Sequence, residues 1–199
     1  MRVVGSDGWS IRTSFEQQCS NMLYVRDAAG LTGPADYLVP PLSPPVELRA
    51  ALAPFATSTA AEQWGRWWTA YLAHLGQGAR VDLTPAGEPP EPGTDLRALF
   101  NAVVDEATAW WRERKRDYVQ RTTGSAARRL TGQAGETVKR IERELGRRSA
   151  PFELTVKLLP MDRKWARRLR PTLVLVSDRL WLDPAACDDF LDPIVRALV

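Results

Sequence analysis

The sequence predicts an α+β fold: a small antiparallel sheet, formed mainly by C-terminal strands and open to an added N-terminal strand, packed against a helical layer with a central helical hairpin. Three observations carry this. Apolar residues recur every three or four positions through the middle of the chain, the period of a helix with one buried face. After residue 150 the pattern changes to alternation and to short apolar runs, the marks of strands. The strands cluster instead of alternating with helices, which favours antiparallel pairing over βαβ units. At 199 residues the chain suits one domain spanning 1–199, with a proline-rich connector at 38–46 and an exposed loop at 76–95.

Residues 1–40 read as short strands and loops. Trp9, Ile11 and Thr13 share one side of a strand over 9–15, and Met22–Val25 is a second short strand candidate. Residues 38–46 hold four prolines, which donate no backbone N–H and favour an extended, stiff segment. Residues 46–53 read as two helical turns. Ser58 or Thr59 then caps a helix reaching about Leu75, with Trp64, Trp67, Trp68, Tyr71, Leu72 and Leu75 on one face. The stretch 76–95 is rich in proline and glycine, with a short strand predicted at Ala79–Leu83.

Helical character resumes near Thr94. One broad stripe runs Leu96, Leu99, Phe100, Val103, Ala107, Trp110, Trp111 and Tyr118, and a second from Ala127 to Leu145. At about 100° per residue the second stripe starts nearly opposite the first, so the helix breaks around Arg121–Ser125. The alternative is one long kinked helix. Phe152, Leu154, Val156 and Leu158 alternate along a half-buried strand. Thr172–Val176, apolar on both faces, is an interior strand, and Leu180–Leu182 is a short third one. Asp183-Pro184 and Asp192-Pro193 each read as a helix start, with Asp as cap and Pro in the first turn.

Several chemistries lack their residues. The N-terminus has no apolar stretch of signal-peptide length, and no run approaches a membrane span, so a cytoplasmic location is expected. Cys19 and Cys187 read as reduced, buried thiols. With His74 the only histidine, short-spaced Cys/His zinc ligands are missing, and no phosphate-binding glycine loop with its Lys-Ser/Thr pair occurs. No cofactor or metal is expected. The acids Asp178, Asp183, Asp188, Asp189 and Asp192 leave an enzyme with an unrecognised carboxylate site as one alternative reading.

Charge placement is the strongest functional signal. Residues 112–170 carry 18 basic and 7 acidic groups, against a net charge of only +3 for the chain, and arginines outnumber lysines 23 to 4. Trp111 precedes Arg112 and Arg116; Arg128, Lys139, Arg140, Arg143, Arg147 and Arg167 continue the block. This set reads as an arginine-rich helical face with a tryptophan at its edge, serving a non-enzymatic protein that binds an acidic protein surface. Nucleic acid is the alternative partner for the same face. The acidic ends of the chain can also fold back onto the block and neutralise it. Oligomeric state stays open.

Overall fold

A computed structural model describes residues 2–6, 8–33, 39–77, 91–123 and 125–199; the side chains of residues 2–4, 6 and 125–131 fall outside that description. The element order is β1 (Arg2–Ser6), β2 (Trp9–Phe15), α1 (Gln17–Ala29), a 3-10 helix (Ala50–Phe55), α2 (Ser58–Gln77), α3 (Thr94–Arg121), α4 (Ser125–Leu145), β3 (Phe152–Leu159), β4 (Ala166–Arg170), β5 (Leu173–Ser177), α5 (Asp178–Trp181) and α6 (Pro184–Arg196). The fold is α+β. The chain forms two compact units, one from Met1–Glu16 with Glu113–Val199 and the other from Gln17–Arg112.

The first unit holds a five-stranded sheet in the order β1-β2-β3-β5-β4. The expected antiparallel sheet is in fact mixed. β1/β2 and β4/β5 are antiparallel, but β2/β3 and β3/β5 are parallel, with Ile11 opposite Leu154 and Val156 opposite Val174. Two causes apply. The connection from β2 to β3 covers more than a hundred residues, ample for the long crossover a parallel pair requires. After β3 the chain reverses into edge strand β4 and reverses again into β5, and two reversals restore the direction of β3. β5 is paired on both sides and buried from Leu173 to Ser177, as its apolar run predicts.

One sheet face is covered by α4 and α6. Ala134, Val138 and Ile141 meet Cys187, Leu191, Ile194 and Val195 over Trp9, Ile11, Leu154, Val156, Leu158, Val174 and Val176. The predicted helix break falls at Thr122 and Thr123, where the Thr122 hydroxyl donates to the Tyr118 carbonyl at 2.8 Å. α4 ends at Gly146, whose φ of +65° is the left-handed conformation glycine adopts freely. The N–H groups of Gly146 and Arg147 donate back to the carbonyls of Arg143 and Glu142, closing the last turn.

The second unit packs α1, α2 and the first part of α3. Trp64, Trp67, Trp68, Tyr71 and Leu72 are buried along α2, the aromatic face its spacing predicts. Trp64 stacks on Trp68 at 5.6 Å, and its indole N–H donates to the Met22 carbonyl at 2.8 Å. Arg26 lies over the Trp64 ring and donates to the carbonyls of Val39 and Pro40, while Asp27 accepts from the Leu42 N–H. This pair fastens the start of the proline-rich segment to the end of α1, and Leu42 is fully buried.

Several elements differ from expectation. Met22–Val25 belongs to helix α1, not to a strand. α1 buries Ser20 and Asn21 along with its apolar residues, so no one-sided stripe advertises it. Residues 50–55 form a 3-10 helix where α-turns were expected from 46. Thr57, one residue early, caps α2 by accepting from Ala60 N–H at 3.1 Å. Leu180–Leu182 is not a strand: the Ser177 side chain accepts from Leu180 N–H and starts α5 instead. The two C-terminal helices are one, α6, with Pro193 inside; burial of Cys187, Leu191, Ile194 and Val195 along one face outweighs the lost N–H. The strand predicted at 79–83 lies outside the described residues.

Candidate functional site

The basic block divides once folded. The sheet unit carries 21 basic and 14 acidic residues, net +7, and the other unit is net −4. Trp111 is buried, only 9% exposed, so it is a core residue of α3 and not an exposed anchor; helical geometry turns Trp110 outward, half-exposed against Tyr24 at 5.9 Å. Arg112 and Arg116 are exposed on α3, one in each unit. Arg128 sits on α4 with its side chain outside the described residues.

Arg140 is taken up by carboxylates. Its Nη1 lies 2.9 Å from Asp192 Oδ1 and 3.2 Å from Glu144 Oε1, and its Nη2 lies 3.1 Å from Asp188 Oδ2. Arg196 closes the ring by pairing with Asp192 at 2.7 Å and with Glu144. The buried Thr137 hydroxyl donates to Asp188. Hydrogen bonds from Arg196, then from Arg140, hold the Asp192 and Glu144 carboxyls below their ordinary range. The same bonds, led by that to Asp192, raise both guanidiniums above theirs. The network joins α4 to α6, so Arg140 has a structural task.

The other predicted residues are freer. Lys139 pairs with Glu136 on the helix surface at 3.1 Å, and among the described residues Arg143 donates to the Lys139 carbonyl alone. Arg147 and its neighbour Arg148 are exposed just past α4, with no carboxylate partner among the described residues. Arg167 and Arg168 are exposed on β4, also without one; Arg168 reaches the Pro171 carbonyl at 3.1 Å. The Nε of Arg170, shielded from solvent, has no acceptor among the described residues. β4 ends, and β3 begins, at the same end of the sheet, since Arg170 and Thr155 both stand opposite Leu173. Arg147 and Arg148 lead into β3 there. Sequence reading found Arg147 and Arg167 but passed over Arg148, Arg168 and Arg170 as site residues. The signal for Arg168 and Arg170 is the basic run 163–170, which carries no apolar strand pattern.

The C-terminal acids have local duties. Asp183 caps α6 by accepting from Ala186 N–H at 3.0 Å and pairs with Lys164, which together keep its carboxyl below the usual value. Asp178 is buried beside Arg121 at 3.3 Å; burial raises its carboxyl above the ordinary value, and the arginine only partly opposes this. Cys187 is buried and its thiol is pushed up to about 12, first by burial and then by the charges of Asp188 and Asp183. Cys19 and Cys187 are both buried and neither forms a disulfide. Among the described residues no group of His, Cys, Asp and Glu is placed to hold a metal ion, and no helix is long and apolar enough to cross a membrane. Comparison with protein-family models, curated proteins and solved structures finds no match.

Proposed function

We propose that the chain is a non-enzymatic docking protein of the cytoplasm, and that its basic unit holds an acidic protein surface. The observation that carries this reading is the group Arg147, Arg148, Arg167 and Arg168, exposed and without carboxylate partners among the described residues, in a unit of net charge +7. Arginines free of internal ion pairs keep their donors available for bidentate carboxylate recognition. The long-range field of the unit steers an acidic partner to them. Two buried cysteines that form no disulfide fit a reducing compartment.

The test is fluorescence anisotropy with labelled polyglutamate and, separately, a labelled short DNA duplex. Polyglutamate binds the protein at low salt, and Arg147→Glu/Arg148→Glu and Arg167→Glu/Arg168→Glu each weaken it by about tenfold or more with unchanged Tm. Tighter binding to the duplex, with a steep log-linear loss on adding salt, replaces this reading with the nucleic-acid one. No binding of either probe overturns both.

A further inference from the structure

We propose that the open edge of β4 receives an extended acidic segment of a partner as an added sixth strand. This rests on the docking reading above and specifies how the partner is held. Among the described residues β4 pairs only with β5, and its other side lies at the margin of the sheet. In an antiparallel pair, residues alternate between those that exchange hydrogen bonds across the pair and those whose N–H and C=O face away. Ser177 N–H donates to the Trp165 carbonyl at 2.8 Å. The register places Arg167 opposite Leu175 and Ala166 opposite Val176. Trp165 and Arg167 therefore turn their backbone groups toward β5, and Ala166 and Arg168 turn theirs outward. Those outward groups are what an incoming strand uses.

Charge selects the occupant. Arg167 and Arg168 are exposed and alternate between the two faces of the sheet, and Arg170 follows after a register shift between 168 and 170. The Arg170 Nε, shielded and without an acceptor among the described residues, is a cationic donor that an arriving carboxylate satisfies. A second copy of β4 laid along the first would bring like charges together, which disfavours self-pairing. An extended segment with a carboxylate at every other position meets the edge with both its backbone and its charge.

The test uses a fluorescein-labelled octapeptide of alternating Glu and Val, and a counterpart N-methylated on alternate residues. The charge is the same, but the methylated peptide lacks the N–H groups that face β4. The plain peptide binds, and the methylated one binds about tenfold more weakly, the scale of one or two lost hydrogen bonds. Ala166→Pro removes an outward N–H that β5 does not use; it weakens the plain peptide and leaves Tm unchanged. Equal binding of the two peptides overturns strand addition and leaves acidic docking standing. Binding of polyglutamate without binding of the octapeptide does the same. If neither polyglutamate nor the octapeptide binds, both readings fall.

Discussion

Arg140 on α4 and Asp192 on α6 face each other with 2.9 Å between Nη1 and Oδ1, and this pair ties the most basic helix of the chain to its acidic C-terminal helix. The four-membered ring with Arg196 and Glu144 sits above a core that includes Ile141 and Val195. Replacing Arg140 by Met lowers Tm, and the loss shrinks at high salt because the pairs are partly exposed. Arg140→Met and Asp192→Asn are non-additive in a double-mutant cycle, since each removes the other's partner.

The ring also sets an acid response. Asp192 and Glu144 are held below their ordinary values, so their contribution is complete above the usual carboxylate range. It is lost as pH falls through their folded values. The stability gap between the protein and an Arg140→Met/Arg196→Met variant is largest near neutral pH and closes in acid. Denaturant titrations at a series of pH values measure it.

Asp178 acts with the opposite sign. Its carboxyl is raised by burial, so ionisation costs stability as pH climbs from the ordinary value of about 3.9 through the folded one. Asp178→Asn therefore stabilises the protein at neutral pH, and the advantage disappears below that ordinary value. A Tm series across the range shows the convergence.

Ser177 joins two backbones through one hydroxyl. It accepts from Trp165 N–H at 3.0 Å and from Leu180 N–H at 3.2 Å, fully buried at the end of β5. Ser177→Ala leaves both donors without that acceptor and costs about 1–3 kcal/mol, read from the urea midpoint. Ile141→Ala, a cavity under α4, costs about 2–5 kcal/mol.

Both thiols stay silent toward a disulfide reagent in the native protein, because Cys19 and Cys187 are buried and Cys187 resists ionisation. Two equivalents react once denaturant is added. Fast reaction of either thiol without denaturant contradicts the burial.

Elements whose signal is local could be read from the sequence. The Trp64–Leu72 face of α2, the alternation of β3, the apolar run of β5, the break after Arg121 and the Asp183 cap all depend on neighbours within a few residues. Helix α1 escaped because it is enclosed on most sides and buries Ser20 and Asn21, which erases one-sided periodicity. β4 escaped because an edge strand of three arginines lacks the apolar pattern that marks interior strands. Parallel pairing of β2 with β3 is a long-range fact that no local window contains. The candidate surface was legible as a basic block. Which arginines stay free was not, because Asp188 and Asp192 arrive from some fifty residues away.

The sheet unit is assembled from the first sixteen residues and the last eighty-seven. During synthesis the hairpin of β1 and β2 leaves the ribosome long before β3 exists to pair with it. The intervening unit, complete by Arg112, has all its residues in hand while that hairpin still waits. Every residue of the inner unit is therefore synthesised before β3, β4 and β5, the strands that complete the sheet.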